Sequence, residues 1–489
     1  MDRRSFLKFV GTAAATMVLP DLAFGASEQD SRRPNFVFIL IDDMGWRDAG
    51  CYGSKFYETP NIDRLASEAI RFTDAYAACP VCSPTRASIL TGKYPARLGL
   101  TDWLGLDKWH AKGKLQTPPV AQQLPLEEVT IAEALKAAGY ATASIGKWHL
   151  GGQPYLPENQ GFDLNIGGSD MGFPPSYFYP YRNKNNLAID KIPGGREGEY
   201  LTDRLTDEAV KFIEANKNKP FFLYLSHYAV HVPLQSKKDL EEKYKVKASK
   251  AAVSGSERFG KEGARKVNLI QDNATYAGMM KSVDESVGKV LEKLRETNLA
   301  DNTVIIFMSD NGGVATLEGW PTSNVPLRAG KGWLYEGGIR EPMIIKWPGV
   351  TKPSSVCSEP VTSTDFYPTM LEMAGLSLKP EQHCDGLSLV PLLKQQGNLK
   401  RDALYWHYPH YSNQGSAPAS AIRAGDYKLI EFYEDNHIEL YNLKNDIGET
   451  ANLADKMPEK AAELKKKLAD RLKQMNAKFP TVKPEQEGK

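Results

Sequence analysis

The chain has no surplus of one charge, few cysteines, no internal repeat and almost no long apolar run. Its 489 residues carry 61 basic and 60 acidic side chains, a formal charge of +1, which argues against broad electrostatic capture of nucleic acid. No segment recurs at a solenoid or propeller period and no tract is of low complexity, so repeat arrays are excluded. After the first two dozen residues no apolar stretch approaches the roughly 20 residues that a bilayer span needs, and no stable membrane anchor is expected. The five cysteines are Cys51, Cys79, Cys82, Cys357 and Cys384. In an oxidising compartment an odd count leaves at least one unpaired or chemically altered.

What is present is a globular composition, 41% hydrophobic, 10% aromatic and 25% charged, in a chain long enough for one large domain and a smaller one. Residues 1–26 stand apart. Arg3-Arg4-Ser5-Phe6-Leu7-Lys8 precedes a weakly apolar run, Phe9 to Leu19, and the small-residue stretch Ala23-Phe24-Gly25-Ala26. This is similar to a twin-arginine export signal, which implies the twin-arginine translocase as a partner and a periplasmic or secreted protein. Removing it takes Arg3, Arg4 and Lys8 from the bases and Asp2 and Asp21 from the acids, leaving 58 of each. The mature chain is formally neutral.

Strand-like runs then alternate with helical patterns. Phe36 to Ile41, Ala141 to Ile145, Phe221 to Leu225 and Val304 to Met308 read as buried strands. Thr130-Ile131-Ala132-Glu133 is a capping-box pattern opening a helix that Gly139 closes, and Met280, Val283, Val287, Val290, Leu291 and Leu294 form an apolar stripe at helical spacing. This alternation predicts an α/β fold, a large, mostly parallel sheet sandwiched by helices, over residues 34–399. Lys-rich residues 236–268 read as a polar surface excursion. Residues 400–480 are expected to form a smaller α+β unit, with strands at Tyr427 to Phe432 and Ile438 to Tyr441 and a terminal helix near 458–475.

All four interior strands run into polar residues. The first ends in Asp42-Asp43, the second delivers Gly146-Lys147-Trp148-His149, the third Ser226-His227 and then His231, and the fourth Ser309-Asp310-Asn311. In open α/β sheets ligands sit outside the carboxyl ends of the strands, so these groups are expected in one crevice. Asp42, Asp43, Asp310 and Asn311 form an all-oxygen set suited to a hard divalent cation such as calcium, with magnesium and manganese left open. Arg86, Lys147, His149, His231 and Lys331 beside such a cation point to a substrate carrying a tetrahedral oxyanion. Pro84 fits the first turn of a helix, which places Cys82 at a helix N-terminus, where an anionic group is stabilised. No thioredoxin-like context surrounds the Cys79–Cys82 pair, and no second cysteine pair completes a zinc site.

Cys82-Ser83-Pro84-Thr85-Arg86, followed by Leu90-Thr91-Gly92, and Gly146-Lys147-Trp148-His149-Leu150-Gly151 together resemble the two signatures of the sulfatase family, of the calcium-dependent arylsulfatase type. The similarity spans roughly residues 34 to 480, with Thr85 standing where serine is commoner. It implies an alkaline-phosphatase-like fold and oxidation of Cys82 to formylglycine by a formylglycine-generating enzyme, leaving four cysteines whose pairing stays open. One Ca2+ would be held by Asp42, Asp43, Asp310, Asn311 and the modified Cys82. The resemblance further implies that Arg86 holds the formylglycine and that Lys147 and His149 contact it and the sulfate, with His149 as base. His231 and Lys331 would hold the sulfate and protonate the departing oxygen, and Ser169 would be a sulfate contact. The hydrated aldehyde would attack sulfur with one oxygen and expel sulfate through the other by carbon–oxygen cleavage.

The implied activity is sulfuric ester hydrolysis, of aryl sulfates or sulfated sugars. Trp103, Trp109, His110, Tyr177, Tyr179 and the run Tyr405-Trp406-His407-Tyr408-Pro409-His410-Tyr411 offer stacking faces and donors suited to a sugar ring, so a sulfated polysaccharide or oligosaccharide is favoured, with His407 and His410 as substrate contacts. For Trp406 and Tyr408, packing between the two units is the competing reading. Two other functions stay open: a phosphoester or phosphonate hydrolase, and a noncatalytic binder of sulfated glycans if Cys82 is never oxidised.

Overall fold

Side chains along a strand alternate between faces, so a continuous apolar run needs two buried faces. Strand Asn35–Ile41 meets that condition. Val37, Ile39 and Ile41 enter one core cluster and Phe36, Phe38 and Leu40 another on the opposite face, all without exposure. Full burial of each such side chain contributes about 1.5–3 kcal/mol. The computed structural model describes residues 33–105, 113–251 and 257–483, so the export signal, Trp109 and His110 lie outside the described residues.

The central strand belongs to a nine-stranded sheet whose order is 355–357, 70–76, 340–346, 303–309, 35–41, 221–226, 141–146 and 164–166, with 361–362 paired to 70–76. Strand Arg340–Lys346 runs antiparallel to both neighbours and the remaining pairings are parallel. All four predicted interior strands are present, as Asn35–Ile41, Ala141–Gly146, Phe221–Ser226 and Thr303–Ser309. The Thr130 capping box forms, its hydroxyl accepting from Glu133 N while the Glu133 carboxylate accepts from Thr130 N. The apolar stripe is the buried face of helix Ala274–Glu296. Mostly parallel architecture with helices on both faces is therefore what the alternation specifies.

The Lys-rich stretch is more ordered than a surface excursion. It contains helix Lys238–Ala251 and a hairpin of Phe259–Glu262 with Arg265–Asn268. Tyr244 is buried and faces Phe56, while Lys243 and Lys247 pair with Glu58. So few apolar anchors leave little periodicity to read.

A second, four-stranded antiparallel sheet is built from Leu404–Tyr408, Ala419–Ala424, Tyr427–Phe432 and Ile438–Asn442. Helix Pro458–Gln474 covers it, burying Ala461, Leu464, Leu468 and Leu472 with Ile422, Leu429 and Leu440. On the other face Trp406 packs against Tyr76 and donates its indole N–H to Ala77 O at 2.8 Å. The first part of the aromatic run that suggested a sugar platform, Tyr405 to Tyr408, thus belongs to a strand buried on both faces. No helix among the described residues is long and apolar enough to cross a membrane.

Candidate active site

The carboxyl ends of the central strands meet. His227 N donates to Leu40 O at 2.9 Å, Lys147 N to Ser226 O at 2.7 Å and Asp310 N to Ile41 O at 3.0 Å, so four chain segments are tied where their polar residues begin. Gly146 permits one of these ties, since a Cβ there would lie 1.9 Å from Ser226 O. Asp43 and His149 hold left-handed backbones, φ 63° and 56°, a conformation that costs non-glycine residues energy and concentrates at functional sites. Gly172 closes over His149, where a Cβ would approach the imidazole to 2.4 Å.

Helix Cys82–Thr91 is buried along its whole length and presents Cys82 in its first turn. Cys82 Sγ lies 3.3 Å from His149 Nδ1, and His149 Nε2 lies 3.3 Å from Leu104 O. A carbonyl can only accept, so the proton sits on Nε2 and the bare Nδ1 faces residue 82. Arg86 is fully buried: Nε and Nη2 donate to Asp310 Oδ2 at 2.9 and 2.7 Å, and Nη1 donates to Lys147 O at 3.1 Å and Ser226 Oγ at 2.5 Å.

Two more cations close the cluster. Lys147 Nζ lies 2.7 Å from Asp42 Oδ2, and Lys331 Nζ is 2.7 Å from Asp43 Oδ1 and 2.8 Å from Oδ2. Asn311 Nδ2 donates to Asp43 Oδ1 at 2.7 Å, and His231 Nε2 stands 3.6 Å from Asp43 Oδ2. Asp42 Oδ1 and Asn311 Oδ1 are buried without a hydrogen-bond partner. Asp42, Asp43 and His231 place one ligand atom each within 4.8 Å of one another. Buried, unsatisfied oxygens beside paired carboxylates fit a hard cation. Asp310 reaches the same cluster through Oδ1, which accepts from Asp43 N at 3.2 Å.

Burial and fixed charge set the protonation states. Burial lifts Asp42 well above the usual carboxylate range, against the pull of Lys147. For Asp43 burial is outweighed by Lys331, with Lys147 adding to it, and its carboxyl is held well below that range. Burial, then Lys147 and Arg86, push His149 well down. Burial and Lys331 bring His231 down to about 3 against Asp43. Both imidazoles are neutral at rest. Burial raises the Cys82 thiol despite Lys147 and Lys331, so the unmodified side chain is a poor nucleophile at neutral pH.

Cys82, His149, His231 and Lys331 open into a pocket of about 690 Å³. Its outer wall includes Trp103, Asp170, Phe173, Asn183, Glu318 and Asn413. Of the expected substrate contacts, Ser169 lies behind the site, its carbonyl accepting from His149 N at 2.9 Å and its hydroxyl from Met171 N at 3.2 Å. His407 is bound to Ser420 Oγ at 2.6 Å and Lys478 O at 2.9 Å, and His410 to Thr101 Oγ1 at 2.8 Å. Neither lines the pocket. Tyr177 is buried, its hydroxyl donating to Tyr228 O and His231 O at 2.7 and 2.8 Å, so it braces the loop carrying His231. Sequence reasoning missed Phe173, Glu318 and Asn413, which sit on loops without a periodic signal. No disulfide joins the five cysteines.

The sulfatase family model matches residues 34–376, and the model for the C-terminal part of N-sulphoglucosamine sulphohydrolase matches 329–478. The chain belongs to the sulfatase family. A sulfatase of Formosa agariphila is 36% identical over 512 aligned residues, covering 90% of this chain and 88% of that protein. Human arylsulfatase A is 33% identical over 481 residues, covering 88% and 85%. Among solved structures, Ps i-CgsB in complex with k-i-k-neocarrahexaose superimposes with a TM-score of 0.73 at 32% identity, covering 90% of this chain and 93% of that one. This sulfatase is therefore an enzyme, and Cys82 and His149 meet in the pocket at its strand ends.

Proposed function

We propose that this sulfatase releases inorganic sulfate from sulfated carbohydrates, using a formylglycine made from Cys82 and one bound divalent cation, calcium first among them. The observation that carries this reading is the 3.3 Å approach of Cys82 Sγ to His149 Nδ1, beside the carboxylate cluster and at the floor of an open pocket. The glycan complex of Ps i-CgsB supports the substrate class, as do Trp103 and Phe173 in the pocket wall.

The cation would be held by Asp42, Asp43, Asp310 and Asn311 together with residue 82, and supplies Lewis-acid polarisation of sulfate oxygens. A formylglycine at position 82 would supply, as its hydrate, a hydroxyl nucleophile and a second hydroxyl on the same carbon as the route for sulfate release. The chain's own groups do the rest. Lys147 and Lys331 present two ammonium groups to the sulfate oxygens. Arg86, anchored on Asp310, fixes the first turn of the helix that carries residue 82. His149, whose Nδ1 faces residue 82, would accept a proton there. His231, neutral at rest, gains proton affinity when an anionic ester enters, and with Lys331 it protonates the departing oxygen.

Export by the twin-arginine translocase, after folding and after oxidation of Cys82 by a formylglycine-generating enzyme, belongs to the same proposal, as do periplasmic or extracellular action and the division into a catalytic unit, 34–399, and a smaller unit, 400–480. The test is sulfate release by purified enzyme from a panel of sulfated sugars, with matched phosphate esters alongside. Sulfate release from at least one sugar is expected. Preference for the phosphate esters, or cleavage of aryl sulfates alone, would overturn the reading.

A further inference from the structure

Two carboxylates, Asp170 and Glu318, line the pocket that Cys82 and His149 enter. Among the described residues lining it, Lys331 is the one lysine or arginine, and its ammonium group is already paired with Asp43 at 2.7 Å. The outer wall instead carries Glu318 and Asp170, with Asn183, Asn413 and the faces of Trp103 and Phe173. Phe173 is 44% exposed and stacks on His231 at a ring separation of 6.4 Å and an angle of 16°.

Glu318 is built into this wall. Its backbone is left-handed, φ 57°, in a loop that folds against residues 413 and 414. Gln414 Nε2 donates to Glu318 Oε1 at 2.8 Å, and Gln414 Oε1 is itself fixed by Thr316 Oγ1 at 3.0 Å. Glu318 Oε2 is buried with no hydrogen-bond partner. An unsatisfied buried carboxylate oxygen is costly, and a ligand donor that reaches it recovers the cost. An anion placed there would add like-charge repulsion instead. Burial also raises the Glu318 carboxyl above its usual range, opposed by Lys331 and by hydrogen bonds from the Gln414 and Asn413 side chains.

We propose that Glu318 selects the substrate by hydrogen bonding a hydroxyl or amide N–H of a neutral sugar ring beside the sulfated carbon, and that it disfavours rings carrying a second anion there. This rests on the carbohydrate reading above and narrows it to hexose or N-acetylhexosamine monosulfates, stacked on Trp103 or Phe173.

The experiment measures kcat/KM for the wild type, Glu318→Ala and Glu318→Gln on 4-nitrophenyl sulfate, on hexose and N-acetylhexosamine monosulfates, and on the same sugars bearing a second sulfate at the neighbouring carbon. For Glu318→Ala the ratio of sugar to aryl sulfate turnover should fall about 10- to 100-fold, the size of a hydrogen bond to a charged group. Glu318→Gln should keep most of that ratio and raise the disulfate relative to the monosulfate. Equal losses on sugar and aryl sulfate in both variants, or a wild type that prefers the disulfate, would overturn the role of Glu318 while leaving the carbohydrate reading intact. A wild type that cleaves the aryl sulfate and no sugar would overturn both.

Discussion

Arg86 and Asp310 form a two-pronged ion pair, 2.9 and 2.7 Å, with neither side chain exposed to solvent. Such a pair costs desolvation on both sides, so removing one partner leaves an uncompensated buried charge. Arg86→Ala should destabilise the protein by about 3–5 kcal/mol, read as a lower denaturant midpoint. Loss of sulfate release without a change in that midpoint would show that Arg86 has no such structural part.

The two imidazoles facing the pocket are expected to act separately. His149→Ala and His231→Ala should each lower kcat by about 10²- to 10⁴-fold, the usual worth of a positioned acid or base. The His231 loss should be smaller for leaving groups that need no proton. Turnover of 4-nitrophenyl sulfate and of an alkyl sulfate by each variant checks both statements, and equal sensitivity of His231→Ala to the two leaving groups would remove its assignment as acid.

The unpartnered Asp42 Oδ1 and Asn311 Oδ1 set the expectation for metal. Chelation should abolish sulfate release and added calcium should restore it. Asp42→Ala should lower the metal content measured by elemental analysis. Full turnover after exhaustive chelation would contradict the cation site.

His227, which does not line the pocket, gives a separate pH dependence. It is fully buried, its Nε2 lies 2.9 Å from Ser286 Oγ, and burial alone pushes its pKa from 6.5 down to about 3. Between those values the unfolded chain binds a proton that the folded chain refuses, so stability should fall as pH drops from 6.5 toward 3. The ceiling of this contribution is about 5 kcal/mol. Denaturant unfolding at pH 7, 5 and 4 should show a shallower fall for His227→Gln than for the wild type, and identical pH slopes would refute it.

Much of this centre is legible in the sequence because its residues sit one or two places beyond strands that are apolar on both faces. Asp42, Lys147 and Asp310 can be found by reading where each run of buried residues stops. The same rule fails for His407 and His410: the strand Leu404–Tyr408 is buried on both faces, and its aromatic residues read equally well as a platform or as packing. Glu318 and Phe173 lie on loops, where no period marks a side chain as facing a pocket. Strand Arg340–Lys346 was also hidden, because a run direction opposite to its neighbours leaves no trace in apolar pattern. The Lys331–Asp43 contact joins residues far apart in the chain, and no local spacing encodes it.

The oxidation state of residue 82 is decided by the mass of the peptide that contains it, from protein purified out of a host able to export and modify it. Replacement of the thiol by an aldehyde is expected, in proportion to the specific activity of each preparation. A fully active enzyme whose residue 82 is quantitatively a thiol would contradict it.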